Sequence, residues 1–270
     1  MDFAKMDFTL QTYQKLLEAI KEANYSVQTV KSFLTNPEKK VVILRHDVDE
    51  IPNNALKMAT VENKLGVQST YYFRIVKISN DPEIIKKIIS LGHEIGYHYE
   101  DFAICNGDYE QAIKSFESNL KYFREFYPVK TICMHGSSMS NYDNRDIWKK
   151  ITLEDFDLLG EPYMSIDYSD VLYLTDTGRR WDGSDYSVRD FVKSSYNLRF
   201  RTTFDIMNAF KQNQLPDKVL LQSHTLWTDS KRQWYWLSYR EKVRNNIKRS
   251  VLKIPLLRKL TYLLIKLYSK

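Results

Sequence analysis

Cysteine is nearly absent. Cys105 and Cys133 are the only two in 270 residues, and they form no CxxC pair. That excludes a disulfide framework, so both are expected to be reduced thiols in a cytoplasmic protein, used for core packing. No run of 18 or more uncharged apolar residues occurs, so no transmembrane helix is expected. Met1 to Lys5 do not lead from a basic segment into an apolar run, and no secretory signal is expected. A positive balance is missing from the body despite a net charge of +6. Residues 240–270 carry ten Lys or Arg and one Glu, leaving the other 239 residues with 30 basic against 33 acidic side chains. The basicity belongs to the tail, which argues against a nucleic-acid groove across the body.

What is present is a regular alternation. Val41 to Leu44 form an uninterrupted apolar run, which suits a strand buried on both faces. Polar chemistry follows at once in Arg45, His46, Asp47 and Asp49, and then a helix with Pro52 near its first position. Before this run, helices are predicted over 8–23, with Thr9 as cap, and over 26–34. After it the pattern predicts strands over 69–76, 93–100, 130–134, 171–174 and 218–223. Helices are predicted over 53–65, from Asp81-Pro82 to Gly92, over 108–126, around 144–150 and over 204–212. Such alternation predicts a mainly parallel α/β sheet, closed as a barrel or open and doubly wound. The length suits one large domain, taken here as 1–239, followed by a helical tail over 240–270.

Histidine is scarce too: His46, His93, His98, His135 and His224 are the full set. Four of them fall at the predicted carboxyl end of a strand, where functional residues of parallel α/β folds collect. Asp47 and Asp49, two apart on extended backbone, share one side. Such a pair repels unless a cation or proton sits between its members. Asp with His is the donor mix of a divalent metal, with zinc foremost and Mn, Fe or Co also acceptable. Asp49 and His98 are the first two ligand candidates; Glu100, which shares the face of His98, and His135 are rivals for the third. Aromatic content is 14%, with 19 Tyr, which suits a sugar cleft as well as an ordinary core.

At this point the motifs resemble the NodB-type polysaccharide deacetylases, carbohydrate esterase family four. His46-Asp47-Val48-Asp49 resembles that family's first motif, and Gly92-His93-Glu94-Ile95-Gly96-Tyr97-His98 its second. His224, after Val219-Leu220-Leu221-Gln222-Ser223, resembles the last-motif histidine. The resemblance implies a distorted (β/α) barrel of about seven strands, with Asp47 as base, Asp49 and His98 on the metal and His224 as general acid. Asp176-Thr177-Gly178-Arg179-Arg180-Trp181, together with His224-Thr225-Leu226-Trp227, narrows the likeness to the WbmS-like homologues associated with bacterial surface-polysaccharide gene clusters. Two departures stand out. Phe102 occupies the position of the family's second metal histidine, and Met134-His135-Gly136 stands where an Arg-Pro motif is usual.

The expected function is removal of N- or O-acetyl groups from a sugar during O-antigen or capsule synthesis. An inactive carbohydrate-binding homologue and a metal hydrolase of another amide are the alternatives. Arg180 is expected to stabilise an oxyanion or orient Asp47. Trp181 and Trp227 are candidates to stack on sugar, with Asp176 beside them as a substrate contact. His46 and His93 are expected to support the site without binding the metal. The tail alternates apolar and cationic residues, with Val243, Ile247, Val251 and Ile254 at helical spacing. It suits peripheral contact with the inner face of a membrane and a lipid-linked substrate.

Overall fold

The computed structural model describes residue 3 and residues 6–136, 140–182 and 192–253, with the side chains of 247–253 outside that description. The chain opens with α1 (Leu10–Glu22), capped as expected by Thr9, whose side chain accepts from the Thr12 amide. The segment predicted as one helix over 26–34 divides. Ser26–Gln28 form strand β1 and Val30–Thr35 form helix α2. The correction has a tertiary cause: β1 lies in register with Val41–Ile43, and that pairing overrides local propensity.

The apolar run becomes β2 (Val41–Val48), which extends past its apolar half. Arg45, His46 and Asp47 stay in the ladder, and all eight residues are buried. The order continues as α3 (Pro52–Lys64), β3 (Thr70–Phe73), α4 (Pro82–Ser90), β4 (Glu94–Tyr99), α5 (Asp101–Ile104), α6 (Tyr109–Arg124) and β5 (Ile132–Met134). Asp81 caps α4 through the Glu83 and Ile84 amides, as the Asp-Pro pair predicts. After a 3-10 turn over Asn144–Lys149 come α7 (Pro162–Ser165), β6 (Leu172–Thr175), α8 (Thr203–Lys211), β7 (Lys218–His224) and α9 (Lys231–Lys253).

Seven parallel strands form one sheet in the order β5-β4-β3-β2-β7-β6, with β1 beside the first half of β2. The sheet curves as a half-barrel with helices outside it. The α/β alternation read from the sequence is thus observed. Strands β5 and β6 end that order, and the outer side of β5 is bridged by Gly160.

Strand parity sorts the two faces of β2. Val42 and Leu44 pack with α1 and α8 residues such as Leu16 and Phe210. Val41 and Ile43 pack on the other face with Tyr72, Cys133 and Leu220. Arg45 and Asp47 continue this second, concave face by the two-residue period. Gly96 makes room there: a Cβ would stand 2.3 Å from the Tyr72 ring and 2.7 Å from the Thr131 carbonyl oxygen. Helix α9 runs through residue 240 without a break and is tied to the body by Leu237, which is fully buried, and by an Arg240–Glu50 ion pair. Residues 254–270 of the predicted tail lie outside the described residues. No helix among the described residues is long and apolar enough to cross a membrane.

Candidate metal centre

Three strand exits on the concave face meet around one point. Asp49 follows β2, His98 is the last residue but one of β4 and His135 follows β5. Asp49 Oδ1 stands 3.4 Å from His98 Nε2 and 3.6 Å from His135 Nε2. One donor atom from each of the three lies within 4.8 Å of the others. His224, the last residue of β7, brings its Nε2 to 4.0 Å from Asp49 Oδ2. Asp47 Oδ2 is 3.8 Å from His98 Nε2. The register Asp47↔His224 across β2 and β7 accounts for that grouping, because paired residues of parallel strands share a face.

The far side of each imidazole is anchored. His98 Nδ1 lies 2.9 Å from the Cys133 carbonyl oxygen, which can only accept, so Nδ1 carries the proton and Nε2 is left to face Asp49. His135 Nδ1 lies 2.9 Å from Glu100 Oε2, which sets the same tautomer. Asp49 Oδ1 is enclosed and has no hydrogen-bond partner. An orphaned carboxylate oxygen facing two imidazole Nε2 atoms calls for a cation. Without a metal, protons fill that role. Enclosure opposes the Asp49 charge, but His135, His98 and His224 outweigh it and hold the carboxyl well below its ordinary range. Burial likewise lowers His98, but Asp47 and Asp49 reverse the sign and raise it. The Asp, His, His set therefore fits a divalent metal of borderline character, which would compete with those protons.

Glu100, a rival for the third ligand, is already engaged. Arg74 grips both of its oxygens, at 2.9 Å through Nε and 2.8 Å through Nη2, and His135 takes Oε2. Its place is behind His135, so the geometry favours His135 as ligand and Glu100 as the group that orients it. Phe102, where the resembled family has its second metal histidine, is buried against the Tyr109 ring.

Asp47 is 2% exposed. Gln222 Nε2 donates to its Oδ2 at 2.5 Å, and Arg45 Nη1 stands 3.5 Å from its Oδ1. Arg45 is fully buried; it also contacts Cys133 Sγ and donates to the Tyr163 hydroxyl at 3.0 Å. Arg45 thus fills the orienting place expected of Arg180. Arg180 instead forms two 2.7 Å bonds to Asp182 and is partly exposed. The residue two before Asp47 was the available signal, since strand period puts it on the same face; Gln222 stands in the same relation to His224.

Asp176, expected to contact substrate, holds His224. Its Oδ1 lies 2.9 Å from His224 Nδ1, and its Oδ2 accepts from Ser223 Oγ at 2.7 Å and Trp227 Nε1 at 3.0 Å. Burial lowers His224, but the Asp176 hydrogen bond and charge, with Asp49 and Asp47 behind them, raise it to about 10. Trp227 is fully buried and Trp181 is 5% exposed, its indole N–H given to Thr203 Oγ1. Both rings pack with Phe8 in the core, and Trp227 has no exposed face for a sugar.

His46 and His93 lie beneath the site. His46 faces away from Asp47 by strand parity and meets Glu62 Oε1 at 2.6 Å. His93 Nδ1 is 3.4 Å from Glu62 Oε2, and its Nε2–H donates to the Ala59 carbonyl oxygen at 3.0 Å. Tyr13, Tyr71 and Ser69 also donate to Glu62. This fully buried carboxylate, on α3, pins helix to sheet. Sequence reading overlooked it because its partners are spread from residue 13 to residue 93.

No family model matches the chain, and no curated protein does. Solved structures give distant likenesses. A CE4 family pseudoenzyme from Bacillus anthracis shares 14% identity at a TM-score of 0.41, over 77% of this chain and 63% of that one. Its mutant with restored enzymatic activity shares 13% at 0.41, over 77% and 65%. The chain thus spans a little under two thirds of these two. The CE4 domain of a multidomain xylanase from the hindgut metagenome of Trinervitermes trinervoides shares 13% at 0.38, over 79% and 85%.

Proposed function

We propose that this chain is a metal-dependent hydrolase that removes acetyl groups from a sugar. The observation that carries the reading is the convergence of Asp49, His98 and His135, each with one donor atom turned inward, beside Asp47 and an Asp176-held His224. The motif resemblance supplies the substrate class.

Asp49 Oδ1, His98 Nε2 and His135 Nε2 would hold the metal. When bound, it supplies Lewis acidity toward an acyl oxygen and acidifies water. Asp47, kept in place by Arg45 and Gln222, takes the proton of the attacking water. His224 carries a proton on Nε2 while Asp176 fixes Nδ1, so it is set to protonate the departing sugar nitrogen or oxygen. Arg74 and Glu100 keep the His135 ring from turning.

The finer reading places the activity in bacterial surface-polysaccharide synthesis in the cytoplasm, with zinc as the metal and a lipid-linked sugar as one form of substrate. Exposed Trp236, Tyr239 and Val243 on α9 support peripheral membrane contact by this helix and the rest of 240–270. Flotation with anionic liposomes tests that contact; equal flotation by a variant that lacks 247–270 and carries Trp236→Ala, Tyr239→Ala and Val243→Ala would count against it.

Acetate release from a panel of N- and O-acetylated sugars tests the main reading. Release by the metal-loaded protein, lost on chelation and in Asp47→Asn, is the expected result. Stoichiometric metal with sugar binding but no acetate release would favour the inactive carbohydrate-binding homologue.

A further inference from the structure

A cavity of about 330 Å³ opens between the 178–180 turn, the residues just before α8 and the face of α9 that carries Trp234, Ser238 and Glu241. None of the candidate metal ligands lines it, nor does Asp47 or His224. Its walls carry four cations: Arg179, Arg180, Arg201 and Lys242. Two carboxylates, Asp7 and Glu241, also line it, and both are engaged. Asp7 accepts from the Phe8 and Thr203 amides and the Thr203 hydroxyl, and so already caps α8. Burial, against these bonds and the Arg179 charge, raises its carboxyl above the ordinary value. Glu241 Oε1 is shared by Arg240 and Arg244.

Arg179 sets the cavity apart from an ordinary basic surface. It is 8% exposed, with its guanidinium over the rings of Phe8 and Trp234 at 5.2 and 5.5 Å. Its Nη1 donates to the Leu226 carbonyl oxygen at 2.7 Å, yet its buried Nη2 has no hydrogen-bond partner. A buried guanidinium nitrogen left bare is costly unless an acceptor completes it. The backbone is bent to put it there: Arg179 has φ 57°, in the left-handed region that non-glycine residues seldom adopt. Burial lowers the Arg179 value to about 10, because Asp176, Asp7 and Glu241 offset it only in part. The site has one guanidinium with a bare nitrogen and two further cations, Arg201 and Lys242, in its walls, while Arg180 is held by Asp182. Planar guanidinium forks match tetrahedral oxyanions.

We propose that this cavity binds the phosphate or diphosphate group of a phosphorylated sugar carrier. The phosphate site stands on its own residues; the sugar carrier rests on the deacetylase reading. A nucleotide and a polyprenyl lipid would both present this group.

Calorimetric titration of the full chain with inorganic pyrophosphate tests the site. Asp49→Ala serves as the background in which the metal centre cannot contribute. Binding is expected to be equal in the wild type and in Asp49→Ala. It is expected to be about tenfold weaker in Arg201→Glu and in Lys242→Glu, both exposed positions that the fold does not need. No binding at millimolar pyrophosphate would overturn the proposal. So would binding that disappears in Asp49→Ala and persists in the two charge reversals. Uridine diphosphate and farnesyl diphosphate in detergent then separate the carriers. Whichever binds more tightly than pyrophosphate identifies the source, and no gain from either overturns the carrier part. Acetate release plays no part in these titrations, so its absence would count against the deacetylase reading alone.

Discussion

Asp176 grips His224 at two points, accepting from its backbone amide at 2.7 Å and lying 2.9 Å from its Nδ1. Side chain and main chain of the proposed general acid are thus fixed by one carboxylate, which Ser223 and Trp227 hold in turn. Asp176→Asn should lower turnover about 10²- to 10⁴-fold, the usual worth of a positioned acid or base. It should leave metal content unchanged. The metal-free protein gives a second readout. The folded His224 value of about 10 lies above its ordinary 6.5, so its stabilisation is complete below 6.5 and lost as pH rises through 10. Urea unfolding should show wild type exceeding Asp176→Asn by about 3 kcal/mol at pH 6, with the gap closing toward pH 10.

Glu62 shows the opposite sign. Burial opposes its charge, but His46 and His93, with the Ser69 hydrogen bond, bring it down to about 2 from 4.5. A depressed carboxylate stabilises the fold above 4.5 and ceases to as pH falls toward 2. Glu62→Gln should cost about 3–5 kcal/mol at neutral pH, because it leaves two buried histidines and two tyrosines poorly matched. Its acid transition, followed by circular dichroism, should be flatter than the wild type's between pH 4.5 and 2. An unchanged acid transition would show that Glu62 does not drive it.

Arg45 positions Asp47 from below. Arg45→Lys keeps the charge but cannot span Asp47, Cys133 and Tyr163 at once. Turnover should fall at least about tenfold with KM and bound metal little changed, the signature of a misplaced base. A rise in KM alone would place Arg45 in substrate binding.

The third ligand is open to direct comparison. His135→Ala should abolish stoichiometric metal, whereas Glu100→Gln should weaken affinity by about 10- to 100-fold, as for groups that orient a ligand. Equal loss in both variants would put Glu100 on the metal itself.

Much of this was legible in the chain. The Val41–Leu44 run marked the central strand, Asp81-Pro82 a helix start, and three of the four histidines expected at strand exits, His98, His135 and His224, a common face; His46 lies inside β2 and turns to the other side. The length of β2 was not legible, because polar residues remain in a strand when neighbouring strands satisfy their backbone. Strand β1, three residues long, is specified by its pairing with Val41–Ile43 and not by its own sequence. Trp181 and Trp227 read as sugar platforms because sequence does not show which aromatic at a strand exit turns inward. Glu100 read as a ligand because its claimant, Arg74, lies 26 residues earlier. Arg45 was within reach of strand parity alone.

The most direct measurement is the metal content of the purified protein beside its Asp49→Ala and His98→Ala variants, after exposure to zinc and dialysis. One equivalent in the wild type and none in either folded variant is what the convergence of Asp49, His98 and His135 requires. A wild type that retains no metal, or variants that retain a full equivalent, would contradict it.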